Sequence, residues 1–536
     1  MLGAMQDQPL LISMLIEHAA LHHRDTEIVS RRIEGDLHRY TYSEAAGRAR
    51  RVANTLDALD IGRFERVGTL AWNGYRHFEL YYGVSGSGRV LHTINPRLST
   101  DQIAWIINDA DDRVLCFDLT FAPLIAAVHA RCPGVRQWVA LCDPERLPAD
   151  LAIPGLVSYE AWIAGASSAY AWPQLDERSA ATLCYTSGTT GAPKGVLYSH
   201  RSTLLHAWAA ALPDSFGLSA SECVLPVVPM FHVNAWGLPY AAPMTGAKLV
   251  FPGAALDGRS VFELMQAERV TQSAGVPTVW LGLLQHVQSS GLKFASMRRT
   301  LIGGSACSPA MIRSFHELGV EVRHGWGMTE MSPLGTVNTL KFKQTELPTD
   351  AQLALRAKQG RALCGVGLRI VDGDGRELPW DGKSAGDLHV RGPWVVSSYF
   401  KQAGGDPLQD GWFPTGDVAS IDADGFLQIT DRSKDVIKSG GEWISSIEIE
   451  NIALSHPAVA MAACIGIPHP KWDERPLLVV VLKAGQSVSR DALLAHYAGR
   501  VASWQVPDDV EFVEQLPLGA TGKVQKNLLR ERYRPR

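Results

Sequence analysis

The string Tyr185-Thr-Ser-Gly-Thr-Thr-Gly-Ala-Pro-Lys-Gly-Val196 gathers three glycines (Gly188, Gly191, Gly195), four hydroxyls (Thr186, Ser187, Thr189, Thr190) and one cation, Lys194. Glycine tolerates φ values that turn successive backbone N–H groups toward one point. Hydroxyls and a lysine add further donors, so the fitting guest is an anion, a polyphosphate above all. The order differs from a Walker A loop, where lysine follows glycine and precedes Ser or Thr. Here Lys194 precedes Gly195 and Val196 follows. A solvated linker has the same composition. An alternating, strand-like run over 181–185 and helix-compatible sequence from Ser199, a good N-cap, favour the binding loop.

Further strings bring complementary groups. Gly303-Gly-Ser-Ala306 offers bare backbone on which a flat ring can lie, and a plain strand-to-helix turn explains it equally well. Gly325-Trp-Gly-Met-Thr-Glu330 joins a ring, a hydroxyl and a carboxylate; Mg²⁺ takes few carboxylates besides phosphate oxygens. Thr415-Gly-Asp417 is by itself a turn, and Arg432 follows in Asp431-Arg-Ser-Lys-Asp435. Lys438-Ser-Gly-Gly-Glu442 alone reads as a glycine turn beside charges, and Lys523 alone as a surface lysine.

In this order, over residues 185–526, the strings resemble the signatures of the adenylate-forming superfamily: acyl-CoA synthetases, luciferases and nonribosomal adenylation domains. The resemblance implies an α/β fold. A large multi-layer N-terminal domain, with mainly parallel sheets and a β-rich subdomain, precedes a small mobile α+β C-terminal domain. It assigns ATP or AMP binding to Thr186, Ser187, Gly188, Thr189, Thr190, Lys194, Gly304, Ser305, Ala306, Gly325, Trp326, Gly327, Met328, Thr329, Asp417 and Arg432. Trp326 stacks on adenine, where tyrosine is commoner, and Thr329 bonds the α-phosphate. Glu330 and Thr189 hold Mg²⁺, while Asp417 and Arg432 take the ribose hydroxyls. The implied catalytic set is Lys523, Lys438, His232, Thr329 and Glu330. Lys523 serves the first half-reaction, reaching the acid and the α-phosphate. Domains of 1–431 and 435–536 are expected, with a hinge at 432–434 pivoting on Lys434. Rotation there brings Lys438, Gly440, Gly441 and Glu442 to the site for the second half-reaction, the two glycines lining the path of coenzyme A. Leu518-Gly519 departs from the commoner basic residue and threonine of the last signature.

These strings need elements to position them. Helical spacing predicts helices over 44–59, 102–108, 260–267 and 309–318. Apolar strands are predicted over 113–117, 223–228, 248–251, 300–302 and 320–324. The alternation argues for a mainly parallel sheet, whose ligands gather at the carboxyl ends of strands. Segment 92–98, with Pro96, reads as a structural turn into a helix. Beyond about 360 the pattern changes to short strands, with Asp422-Ala-Asp-Gly425 a hairpin turn between them. The charged run after Asp431 precedes enough sequence for a second domain, with elements over 447–454, 459–465, 477–482 and 491–496.

The whole chain sets outer bounds. At 536 residues it exceeds one core. A net charge of −4 gives no electrostatic case for nucleic acid. No apolar run reaches the length of a membrane span, and the N-terminus lacks the order of a signal peptide. Eight scattered cysteines without a CxxC pair fit reduced thiols in the cytoplasm. A homodimer is the expected assembly.

The acid is constrained by Pro229-Met-Phe-His-Val-Asn-Ala-Trp-Gly-Leu-Pro-Tyr240, which resembles the family's acyl-pocket segment. Amino-acid-activating relatives place an aspartate about here, and between Cys223 and Leu256 this chain has no acidic residue. A buried unpaired ammonium is strongly disfavoured, so an amino-acid substrate is not expected. Met230, Phe231, Trp236 and Tyr240 predict an apolar pocket narrowed by aromatics; by resemblance Gly303 and Pro333 complete it. His232 either meets the acid's carboxylate or is a satisfied core histidine. The strings are most similar to bacterial fatty-acyl-CoA ligases, and within them to the methylmercaptopropionate–CoA ligases of dimethylsulfoniopropionate breakdown. A thioether suits methionine and aromatic neighbours. Medium-chain fatty acids are the alternative. The expected chemistry consumes the acid, ATP and coenzyme A, with Mg²⁺, through an acyl-AMP intermediate. A luciferase-like oxygenase would consume O₂ and form no thioester. A non-catalytic nucleotide-binding protein would lose charges that are all present: Lys194, Glu330, Asp417, Arg432 and Lys523.

Overall fold

The computed structural model describes residues 1, 3–186, 193–440, 442–519 and 523–534. Among them, two large sheets build the N-terminal domain. The first has seven strands in the spatial order Val157–Ser158, Gln137–Ala140, Asp112–Phe117, Arg66–Leu70, Val90–Thr93, Ala180–Tyr185 and Gly195–Ser199. Its neighbours are parallel except the last pair, Ala180–Tyr185 with Gly195–Ser199. The second sheet has nine strands. Its centre runs parallel through Lys248–Phe251, Cys223–Pro226, Gln272–Gly275, Arg299–Ile302 and Glu321–Gly327. Glu27–Arg31, from the start of the chain, joins this sheet beside Lys248–Phe251. One apolar cluster spans both sheets, from Val67 and Leu91 to Leu249 and Leu301.

Local signals place the covering helices. Helix Tyr42–Ala58 starts at Thr41, whose hydroxyl accepts the Glu44 N–H while the Glu44 carboxylate accepts the Thr41 N–H. Ala45, Ala49, Val52 and Leu56 form its buried stripe. Ser199 caps helix His200–Ala211 as predicted. Residues 195–199, however, form a strand before it, so the segment after Tyr185 joins two antiparallel strands. Strand Glu321–Gly327 likewise runs past its expected end, because Leu334–Val337 pairs with it. That partner lies beyond the reach of a local pattern.

A third, four-stranded antiparallel sheet follows: Gly367–Val371, Ala385–Arg391, Phe413–Ile421 and Leu427–Arg432. The expected hairpin turn at 422–425 is present. Asp422 Oδ1 accepts the N–H groups of Asp424 and Phe426, and Gly425 has φ +83°. After Arg432 the chain enters a separate sheet of Glu442–Ile444, Ile437–Ser439, Asp473–Leu482, Val459–His469 and Asp509–Phe512. Two apolar clusters of its own, around Val480 and Val479, make this a small α+β C-terminal domain. The architecture is the expected α/β one.

Candidate active site

A cavity of about 1250 Å³ opens where the second sheet's parallel strands end, and residues of the C-terminal domain line it too. Thr186 and Lys194, described residues of the 185–196 loop, both line it. Thr186 N–H donates to the Lys194 carbonyl at 2.9 Å, and Lys194 N–H to Thr186 Oγ1 at 3.1 Å. Ser187, Gly188, Thr189, Thr190 and Gly191 lie outside the described residues. Lys194 Nζ stands 4.7 Å from the centre of the Tyr399 ring. The Tyr399 hydroxyl donates to Glu330 Oε1 at 2.9 Å. Glu330 is buried, and that burial raises its carboxyl pKa against the pull of Tyr399, Arg432 and Lys194. Beside it, the Thr329 carbonyl accepts the Tyr198 hydroxyl at 2.6 Å.

Gly325, Trp326, Gly327 and Met328 also line the cavity, as does Gly304. Ser305 and Ala306, on the turn toward helix Pro309–Glu317, are not among the lining residues, unlike the expectation for them. The Trp326 Nε1–H donates to Asp417 Oδ2 at 2.8 Å. Arg432 Nε holds the other oxygen, Oδ1, at 2.8 Å, from the position directly across the sheet.

Phe231, His232, Trp236, Gly303 and Pro333 line the apolar end of the same cavity, with Val228, Val276 and Leu301. Met230 and Tyr240 do not, which corrects the expected four-residue pocket. Met230 is fully buried in the core, and Tyr240 packs on Tyr81 and Tyr82. The division follows from the backbone. Val233, Asn234, Ala235 and Trp236 have φ of 48°, 51°, 46° and 57°, a left-handed turn built without glycine. Such a conformation costs roughly 1–2 kcal/mol per residue. The surroundings hold it. Asn234 Nδ2 donates to Thr182 Oγ1 at 3.2 Å, and the Tyr81 hydroxyl donates to Asn234 Oδ1 at 3.2 Å and the Met230 carbonyl at 2.6 Å. Trp236 is thereby pressed on Gly303, where a Cβ would sit 3.3 Å from the indole and 2.8 Å from the Gly325 carbonyl oxygen.

Arg97, Lys194, Arg432, Lys434 and Lys523 are among the cations that line the cavity. His232 lines the cavity as a neutral imidazole, its pKa lowered to about 4 by burial and then by Lys523 and Arg97. Lys523 comes from the C-terminal domain. Its side chain is exposed where it lines the cavity, and its pKa is lowered to about 8, with desolvation the leading cause. Arg432 and Lys434 push the same way; Asp417 and Glu330 oppose them. Lys434 and Asp435 also line the cavity, and the N–H groups of Asp435 and Val436 donate to the Arg432 carbonyl. Lys438, Gly440 and Glu442 are not brought to this cavity. They are exposed, with Lys438 N–H on Glu474 Oε2 at 3.0 Å. Gly440 has φ +62° and packs so close that a Cβ would sit 3.0 Å from the Trp472 ring. Gly441 lies outside the described residues.

Two family models match in sequence order, AMP-binding enzyme over residues 16–400 and AMP-binding enzyme C-terminal domain over 448–523. The chain belongs to the AMP-binding enzyme family. Among its relatives are CoA ligases. The 3-methylmercaptopropionyl-CoA ligase of Ruegeria lacuscaerulensis is 54% identical over 535 residues, covering 100% of this chain and 99% of that one. The medium-chain-fatty-acid–CoA ligase of Ectopseudomonas oleovorans is 50% identical, covering 99% and 98%. A crystal structure of an anthranilate CoA ligase with anthranoyl-AMP superposes with a TM-score of 0.87 at 26% identity, covering 99% of both chains.

Arg97 and Tyr399 are among the lining residues of this AMP-binding enzyme that escape the sequence reading. His92 is structural as expected, with Nδ1 2.8 Å from Asp112 Oδ2 in the core. Arg97, in the same segment, instead lines the cavity 5.9 Å from the Phe231 ring centre, and burial lowers its pKa. Its position shortly after strand Val90–Thr93, at a carboxyl end, is the signal that could have found it. Tyr399 offers no such signal. Among the described residues, the acidic groups lining the cavity all have partners. Asp109 meets Tyr185 and Lys401, Glu330 meets Tyr399, and Asp435 meets Arg530.

Proposed function

We propose that this AMP-binding enzyme joins a short, apolar carboxylic acid to coenzyme A, with 3-methylmercaptopropionate the first candidate. The observation that carries the acid class is Trp236, set by its left-handed turn across the apolar end of the cavity. Half-identity to a ligase named for that acid supports the thioether reading. The partnered state of the lining carboxylates argues against a substrate ammonium.

In this reading the acid's carboxylate lies near His232 and Lys523 and attacks the α-phosphorus of ATP. Pyrophosphate leaves and acyl-AMP remains. Thr186, Lys194 and the loop they anchor hold the phosphates, Trp326 stacks on adenine, and Thr329 bonds the α-phosphate. Asp417 and Arg432 hold the ribose. Lys523 neutralises charge that develops at the reacting oxygens, so positioned charge carries this step without a side-chain nucleophile. The C-terminal domain then turns about Lys434, exchanging Lys523 for the Lys438–Glu442 segment. The coenzyme A thiol attacks the acyl carbon and AMP leaves. Mg²⁺ fits the donor set: buried Glu330 lines the cavity, and Thr189, outside the described residues, is its expected companion. The ion would supply charge neutralisation on the phosphates. We also infer a cytoplasmic homodimer; the eight cysteines, all free, support that compartment.

Pyrophosphate release over a panel of acids, with and without coenzyme A, tests the function. The expected profile peaks at short thioether and straight-chain acids, and acyl-CoA forms only with the thiol present. Release driven by amino acids would overturn the reading. A peak at medium-chain acids would favour the second one, a medium-chain ligase, which the 50% identity to such an enzyme supports.

A further inference from the structure

We propose that Trp326 is a positioning residue for the nucleotide's ribose, acting through Asp417. This rests on the reading of Asp417 as the ribose carboxylate. The terminal torsion of an aspartate is broad, so a lone carboxylate does not present its oxygens in one orientation. Here each oxygen has its own donor: the Trp326 indole N–H on Oδ2 and the Arg432 guanidinium on Oδ1, both at 2.8 Å. Donors on opposite oxygens fix the plane of the group. A carboxylate has about four acceptor sites. Two are occupied, which leaves two, the number that a vicinal diol requires; Asp417 itself stands behind Trp326 and Arg432, which line the cavity while it does not.

The clamp also joins two parts of the molecule. Trp326 ends a strand of the nine-stranded sheet, whereas Asp417 and Arg432 are paired on the four-stranded one. Asp417 is buried, and Trp326 nearly so, which shelters this charge-assisted bond from water. Stacking on adenine needs only a flat ring. Donation to Oδ2 needs an N–H at the indole edge, which phenylalanine lacks and for which tyrosine offers only a hydroxyl at its far tip. The indole thus combines base stacking with orientation of the sugar's partner.

The experiment compares ATP with 2′-deoxyATP in the pyrophosphate-release assay, using wild type, W326F, W326Y and D417N. W326F retains a ring for stacking. It is expected to compress the kcat/KM preference for ATP over 2′-deoxyATP by about tenfold, while preference for ATP over GTP holds. D417N is expected to erase the ribose preference. If D417N erases it and W326F leaves it at the wild-type ratio, Trp326 does not act on the ribose and the proposal fails alone. If D417N leaves the ratio unchanged, the ribose assignment of Asp417 fails, and the proposal with it. Thermal melts of the nucleotide-free proteins report folding. Should W326F not fold, W326Y takes its place, since it too lacks the indole N–H: a compressed ratio supports the proposal and a wild-type ratio overturns it.

Discussion

Lys523 stands among two cations and two carboxylates, and desolvation leads the effects that bring its pKa to about 8. The depressed value means that the ammonium is lost as pH rises through that region. Adenylation kcat/KM is therefore expected to hold below about pH 8 and fall above it, since kcat/KM reports the free enzyme. Lys523→Arg should remove this falling limb, because a guanidinium stays charged throughout. Lys523→Ala should slow acyl-adenylate formation by about 100- to 1,000-fold and leave conversion of synthetic acyl-AMP with coenzyme A nearly intact. Equal losses in both half-reactions would remove this lysine from the first state. Trp236 governs the other end of the cavity. Trp236→Gly should open it to longer acids, and a buried CH₂ contributes about 0.8 kcal/mol, roughly fourfold per carbon. Rates measured along a homologous acid series would show the shift; an unchanged profile would mean that Trp236 does not limit depth.

At the scale of elements, the turn from Val233 to Trp236 stores strain beside the acyl site. Its anchors are remote in sequence: Asn73, Tyr81 and Thr182. Ala235→Gly relieves one left-handed residue, worth about 1 kcal/mol. Urea melts are expected to show stability kept or raised by about that amount. Acyl selectivity should broaden at the same time, because Trp236 loses a stiff neighbour. A marked loss of stability would show that the turn is not strained at this residue. Helix Thr100–Ala110 illustrates the converse economy. Its Ser99–Gln102 capping box and its Ile103–Ile107 face answer to folding, while Gln102, Trp105 and Asp109 face the cavity.

For the whole molecule, the C-terminal domain has apolar cores of its own, which the proposed rotation as a unit requires. In the arrangement seen, Lys523 lines the cavity and Lys438, Gly440 and Glu442 do not, as the first half-reaction requires in the proposed scheme. Lys434→Pro fixes φ near −65° at the pivot and restricts Ser433 before it. Thioester formation should fall well below adenylation in this variant, each measured as an isolated half-reaction. A matched decline in both would place the pivot elsewhere.

Sequence alone pointed to an anion as the guest of the 185–196 loop, and it set the order of the signatures and the absence of an acidic group between Cys223 and Leu256. It also marked the cap at Ser199 and the hairpin at 422–425. These are local matters, decided by residue type and spacing within a few turns of chain. Tertiary structure alone decided that Arg97 and Tyr399 enter the site and that Phe231 and Trp236 face the cavity while Met230 and Tyr240 face the core. The last division depends on the sign of φ at four ordinary residues, which no periodicity encodes. Likewise, Trp326 and Asp417 lie 91 residues apart, and only the docking of two sheets turns an indole N–H and a carboxylate into one device.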